Sequence, residues 1–305
     1  MKVLLVIISF FVCLTTFSQT RFKFKQYMIH QSLYNPGYAD RETKYSFNSL
    51  YRRQWLRQEN FPEAFFIYGH YNFDKTHSVT GIISNDLINK YNQFEISGSY
   101  IYNIELAKDV NLGLGAKIAF NEQNLIVHDD LVYFDPNEPT LDGNFTNKYL
   151  NFGTGISLTS KTLNLHIALP YMFGNNFLSP TKNYTFQSNH LYASAGYKVR
   201  FNDWSVMYPT VMLYGVGGSK FHGSFNVNFL SNQLIWFGAG IDSEFTMNAS
   251  LGVFMMSGFR VVYVIDNRFF PANQTTGVSH ELSVSYAKSL RDNPFKRRKH
   301  NRRRR

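Results

Sequence analysis

The stretch "NLGLGAKIAF", residues 111–120, sets Leu112, Leu114, Ala116, Ile118 and Phe120 at every second position, with Asn111, Gly113, Gly115 and Lys117 between them. Successive side chains of an extended backbone point to opposite sides, so a period of two means a strand with one apolar and one polar face. The same split recurs in "LNFGTGISL" (150–158), in Phe94-Ile96-Gly98-Tyr100-Tyr102 and in Leu163-Leu165-Ile167-Leu169. It recurs again in Phe221-Phe225-Val227-Phe229 and in Leu282-Val284-Tyr286. The wealth of β-branched and aromatic residues agrees. Past the first 20 residues no apolar run is long enough for a membrane helix, which needs about 18.

One strand cannot tell whether its apolar face meets a protein core or lipid, but the connections can. Strands are expected near 43–53, 63–73, 77–87, 91–104, 110–121, 149–159 and 161–170. Seven more follow near 188–201, 203–214, 218–229, 233–242, 248–257, 259–266 and 279–290. Every second connection is tight: Asp74-Lys75-Thr76, 106–109, Ser160-Lys161, Asn202-Asp203, Ser231-Asn232 and Ser257-Gly258. The intervening ones include the long segments 122–148, 171–187 and 267–278. Short turns on one rim and long loops on the other mark a membrane barrel, whereas a sandwich has no reason to sort loops by parity. Strand length agrees, because tilted membrane strands need about 9–11 residues and globular strands average about 5–6. The expected fold is an all-β, transmembrane, antiparallel up-and-down barrel of about 14 strands, an even number that puts both termini on the periplasmic side.

The first residues fix the compartment. Lys2 precedes an apolar run from Val3 to Phe17, and Ser18-Gln19 ends it. That is the anatomy of a secretory signal peptide. The chain divides into a signal at 1–19, an N-terminal periplasmic segment at 20–42, an outer-membrane barrel at 43–290 and a basic periplasmic tail at 291–305. The single cysteine, Cys13, falls in the signal, so the mature chain offers no disulfide, thiol nucleophile or thiolate metal ligand. Aromatic residues make up 17% of the chain, as much as all charged residues together, which suits a barrel better than a soluble enzyme.

The net charge of +10 misleads if spread over the whole chain. The tail "RDNPFKRRKHNRRRR" holds nine Lys/Arg against one Asp, among them Lys296, Arg297, Arg298, Lys299, Arg302 and Arg303, so the body carries only about +2. A body built for nucleic acid is excluded, and the tail suits anionic lipid headgroups or an acidic periplasmic protein. The histidines are scattered, and neither a Ser-His-Asp order nor a paired-carboxylate constellation stands out. Catalysis, cofactors and metals therefore have no support in the sequence. The loop at 121–148 carries Asp129, Asp130, Asp135, Glu138 and Asp142, but not at EF-hand spacing, and it reads as a solvated acidic loop.

Gln26-Tyr27-Met28, then "YNPGYAD" (Tyr34 to Asp40), then "YRRQW" (Tyr51 to Trp55) resemble the N-terminal signature of the PorP/SprF family, outer-membrane proteins of type IX secretion in Bacteroidetes. The usual family form reads Asn-Pro-Ala-Tyr-Ala-Gly, so Gly37 and Asp40 are departures. Further echoes are "GIISNDL" (81–87), "LGLGAKIAF" (112–120) and "DLVYFDP" (130–136). The resemblance implies a non-enzymatic outer-membrane component of the secretion and gliding machinery. It would bind and anchor, or help export, a secreted surface adhesin, engaging that adhesin's C-terminal sorting domain and the periplasmic and outer-membrane subunits of the apparatus. The basic tail past residue 290 departs from the family pattern.

Three surfaces stand out for such partners. Asn35-Pro36-Gly37, flanked by Tyr34 and Tyr38, has turn chemistry, because Pro fixes φ and Gly permits a positive one. It reads either as an entry turn or as a plug or docking surface. Arg52 and Arg53 flank Trp55 at a rim, as lipid anchors or as partner contacts. Asp135 represents the acidic loop. The alternative function is a passive channel or small-molecule transporter. Against it, the expected lumen faces carry few charges, such as Lys117 and Glu95, and about 14 strands is below the roughly 16–18 of open porins.

Overall fold

The computed structural model describes residues 24–56, 61–125, 145–173, 175–178, 183–187, 189–202, 204–216, 221–269 and 277–290. The alternating segments form strands β1 (Thr43–Arg53), β2 (Glu63–Asn72), β3 (His77–Ile88), β4 (Tyr91–Ala107), β5 (Val110–Leu125), β6 (Phe145–Thr159) and β7 (Leu163–Tyr171). A small separate hairpin, β8 (Asn175–Leu178) and β9 (Asn183–Gln187), lies within the segment expected to be a plain loop. Then follow β10 (His190–Tyr197), β11 (Val199–Arg200), β12 (Val206–Val216), β13 (His222–Ser231), β14 (Ile235–Asp242), β15 (Thr246–Phe254), β16 (Phe259–Arg268) and β17 (Ser279–Ser289).

Apart from β8 and β9, all of these strands form one antiparallel sheet. First and last strands pair, with Tyr51 opposite Leu282, and β10 pairs with both β7 and β12. The sheet therefore closes on itself and leaves no unpaired edge. β10 and β11 are one stave interrupted at Lys198, whose N–H donates to Thr162 O at 2.7 Å. Counted so, the barrel has 14 staves, the number expected from the alternation. β4 and β5 run longer than expected, to Ala107 and Leu125, because their pairing continues past the apolar belt with polar residues such as Gln93 and Gln123.

The burial pattern decides which way the barrel faces. Glu281, Asn121 and Ser78 are fully buried, whereas Leu150, Phe47 and Leu251 stand more than half exposed. A water-soluble protein would show the reverse. The apolar face here meets lipid and the polar face meets the interior. Among the described residues, no helix is long and apolar enough to cross a membrane.

The two rims differ. One carries the start of β1, the end of β17 and six connections of two to five residues. In one of them Asp74 Oδ1 accepts the N–H groups of Thr76 at 2.6 Å and His77 at 2.7 Å, and others place Asp109, Asn232 and Gly258 at positive φ. The opposite rim carries the longer segments 54–62, 126–144, 172–189 and 269–278, together with the shorter connections 89–90, 217–221 and 243–245. We call them the turn rim and the loop rim.

Candidate functional site

Residues 24–42 occupy the inside of the barrel. Phe24, at the near end, lies towards the loop rim with its ring edge-on to Phe66 at 5.0 Å. Glu42, at the far end, reaches the turn rim, where its carbonyl accepts Leu290 N–H at 2.9 Å. The segment thus runs down the lumen before β1 climbs back up the wall. The first strand begins at the turn rim as its sequence suggests, while the Phe24 end of the leading segment lies in the opposite half.

A compact conformation keeps this segment within the bore. Gln26 O accepts both Ile29 N–H and His30 N–H, a 3-10 turn follows at Gln31–Leu33, and Tyr38 N–H donates to Asn35 O at 3.1 Å. Asn35 Oδ1 closes an Asx turn on Gly37 N–H at 2.8 Å. Folding backbone into turns satisfies polar groups that the lumen wall, already paired in its own ladder, cannot satisfy.

The wall is cut to receive that turn. Gly113 and Gly115 on β5 and Gly155 on β6 sit under Asn35, Pro36 and Gly37, and a Cβ on any of the three would collide with the turn. A Cβ on Gly37 would in turn strike Gly155 O, so the family's alanine has no room in this chain. Asn35 Nδ2 donates to Ile156 O at 2.9 Å and fixes the turn lengthwise. Gly113, Gly115 and Gly155 therefore form a groove for backbone.

Further up, Tyr27 Oη donates to Thr210 O at 3.2 Å, Ser283 Oγ donates to Gln26 Oε1 at 2.6 Å, and His30 Nδ1 lies 2.7 Å from Tyr68 Oη. Burial, with the Arg260 charge nearby, lowers the His30 pKa from 6.5 to about 3 and keeps the ring neutral. Burial likewise pushes the Tyr34 and Tyr38 phenols well above their ordinary range.

Near the loop rim the segment meets buried charge. Arg52 Nη1 contacts Asp266 at 2.7 Å and also Glu281. Lys25 donates its backbone N–H to Glu281 Oε1 at 2.7 Å and its ammonium to Asp242. One plug residue thereby joins two carboxylates of β14 and β17. A second cluster on the wall joins Lys117 to Glu95 at 2.7 Å, with Tyr171 Oη donating to Glu95 at 2.8 Å. Buried charges persist only when paired and hydrogen-bonded, and these are.

The partner-binding candidates divide by position. Tyr34, Asn35 and Pro36 are buried in the lumen, and Tyr38 packs edge-on to His166 at 5.4 Å. Arg52 faces inward, and its neighbour Arg53 lies half exposed, 3.5 Å from Glu63 and 3.5 Å over the Phe61 ring. Trp55 takes a positive φ of 54° just past β1. Asp135, the other carboxylates of its loop, the tail from 291 and the signal at 1–19 lie outside the described residues. The sequence reading did not pick out Lys25, His30, Asp242, Asp266 or Glu281. Alternation puts the last three on lumen faces, but nothing local points them at a segment more than 200 residues away. Towards the turn rim the segment leaves a cavity of about 600 Å³ unfilled.

A family model described as type IX secretion system membrane protein PorP/SprF matches residues 16–286. The chain belongs to that family. Among curated proteins, none matches the sequence. Solved structures share the barrel: the toluene transporter TodX of P. putida superposes with a TM-score of 0.51 at 9% identity, over 85% of this chain and 93% of that one. The deltaS2 mutant of TodX, described as a monoaromatic hydrocarbon channel, gives 0.53 at 10% identity, over 85% and 94%. At such identity the likeness shows the fold alone. This PorP/SprF-type protein is thus an outer-membrane β-barrel of the type IX secretion family, with its own N-terminal segment held in its lumen.

Proposed function

We propose that this barrel works by recognition rather than by conduction or catalysis, binding and anchoring, or helping to export, a secreted surface adhesin of the gliding machinery. The observation that supports this most is the occupied lumen. Residues 24–42 are fastened at the loop end by Lys25, in the middle by His30 and at the turn end by Asn35, so a solute path along the axis would require the segment to leave. In this reading the turn rim and both ends of the barrel domain face the periplasmic subunits, with the basic tail beside them. The loop rim, with Arg53, Trp55 and the Asp135 loop, faces the exported protein or its C-terminal sorting domain.

The test is affinity purification of the tagged barrel from detergent-solubilised outer membranes, with mass spectrometry of the proteins retained. Recovery of a large surface adhesin with secretion subunits is the expected result. A second reading, a passive small-molecule channel, draws on the cavity of about 600 Å³ open at the turn rim. Recovery of the barrel alone, together with steady ion conductance of the intact chain in planar bilayers, would establish that reading and end the first.

A further inference from the structure

The cavity at the turn rim has a wall unlike the rest of the lumen. Tyr208 on β12, Trp236 on β14 and Phe254 on β15 form a continuous row, with ring centroids 5.7 Å and then 5.2 Å apart, the first pair tilted at 35° and the second stacked at 5°. A cation caps each end: Lys198 Nζ lies 5.5 Å from the Tyr208 centroid, and the Arg260 guanidinium lies 5.2 Å from that of Phe254. All five residues line the cavity, and Arg200 joins them at its mouth.

Two groups of this wall lack a counter-charge. Among the described residues neither Lys198 nor Arg260 has a carboxylate partner, whereas Lys25, Arg52 and Lys117 deeper in the lumen each have one. Trp236 itself is 4% exposed and belongs to a buried cluster with Val262 and Val264 against which Met28 and Ile29 pack. A cation held against an aromatic face keeps its remaining N–H groups free to donate. The stacked faces are used by their neighbours, so the rings offer the cavity their electropositive edges. Two cations and ring edges on one wall together call for oxygen anions.

The ligand's scale and direction follow from the cavity. About 600 Å³ is the size of a site for a small molecule or a short piece of extended chain. The opposite side carries Asp40 and the exposed Glu42, and Asp109 is occupied by Lys161. A free anion gains nothing from that second side, while a polypeptide, which carries N–H donors along with its carboxylates, can satisfy both. We propose that the turn-rim cavity is a binding site for an acidic polypeptide segment, whose carboxylates are received by Lys198 and Arg260. This goes beyond the adhesin reading and does not depend on it, because the site is defined by the wall alone.

The test uses the full barrel in detergent with Trp55→Phe and Trp204→Phe, which leaves Trp236 as the sole tryptophan of the three. Acetylated tetraglutamate amide is titrated while Trp236 emission and binding heat are followed. Saturable binding is expected, with the Kd raised at least 10-fold by Lys198→Gln plus Arg260→Gln and changed less than threefold by Lys198→Arg plus Arg260→Lys. Circular dichroism of the Gln variant guards against misfolding, and the charge-keeping variant tests the claim even if the Gln variant fails to fold. Absence of binding, an unchanged Kd in the Gln variant, or equal binding of tetralysine would overturn the proposal. So would displacement of the peptide by an equal concentration of inorganic phosphate, which would mark a site for free anions. Each of these results leaves the adhesin-capture experiment untouched.

Discussion

The two halves of the lumen solve the same problem in opposite ways. Both are lined by the polar faces of the same 14 staves, and both are closed off from lipid. In the loop half each described inward charge meets a partner, and the wall closes on Phe24, Lys25 and Tyr34. In the turn half Lys198 and Arg260 line a cavity without a carboxylate of their own among the described residues, beside a buried Trp236 cluster against which Met28 and Ile29 pack. Alternation builds the container, but the order of residues along each inward face determines whether a stretch of wall is finished by its own chain or left for something else.

Breaking the finished half should produce the largest effect. Arg52→Ala leaves Asp266 and Glu281 buried beside each other, and losing one partner of such a group costs about 3–5 kcal/mol. We expect a correspondingly lower urea midpoint for loss of the heat-modifiable band in detergent, and an unchanged midpoint would show that the pair is solvated.

Next comes the glycine groove. Gly155→Val places a side chain where Asn35 and Gly37 lie, while valine suits the strand itself. The expected overpacking of about 1–3 kcal/mol falls on docking of the segment, not on the barrel. Proteolysis within residues 24–42 and ion conductance should both rise while the barrel still resists unfolding.

The third effect is on pH. The ordinary pKa of 6.5 applies to His30 once the segment is undocked, and about 3 applies when it is docked beside Tyr68 and Arg260. Between those values the undocked state binds the extra proton. Docking therefore keeps its full strength above pH 6.5 and loses about 1 kcal/mol per pH unit as pH falls towards 3. Protease protection of the segment should weaken from pH 7 to pH 5 in the parent and stay flat in His30→Gln.

Smallest is the surface contrast to Arg52. Arg53→Ala removes a half-exposed ion pair with Glu63, worth less than about 1 kcal/mol, and the urea midpoint should barely move. Two adjacent arginines of one strand would then differ severalfold because one points in and the other out.

Those neighbours also show how much the sequence reveals. Strand number, the sorting of loops and the inward or outward direction of Lys117 and Phe152 follow from a period of two, because the pleat enforces it, whereas Arg52 reads from the sequence as a rim contact and is buried against Asp266. The Asn35-Pro36-Gly37 turn was visible as turn chemistry, and its place against Gly155 was not. Nor were the meetings of Lys25 with Asp242 and Glu281, since they depend on the bore closing and bringing together residues 217 and 256 positions apart. The interruption at Lys198 and the β8–β9 hairpin carry no period long enough to read. What fills a barrel is a tertiary fact, while what builds it is local.

The segment inside the bore also has a mechanical polarity. It is tied covalently at Glu42 to the first strand at the turn rim, and its deepest anchors, Lys25 and Tyr27, lie at the other end. A force drawing the Phe24 end outward past the loops would load those anchors one after another, like opening a zip. A force applied at the turn rim would pull along the strand-linked end and load the Asn35 turn against its glycine groove first, shearing it sideways. The ties are thus of different kinds along the bore, charge at the loop end and fitted shape at the turn end.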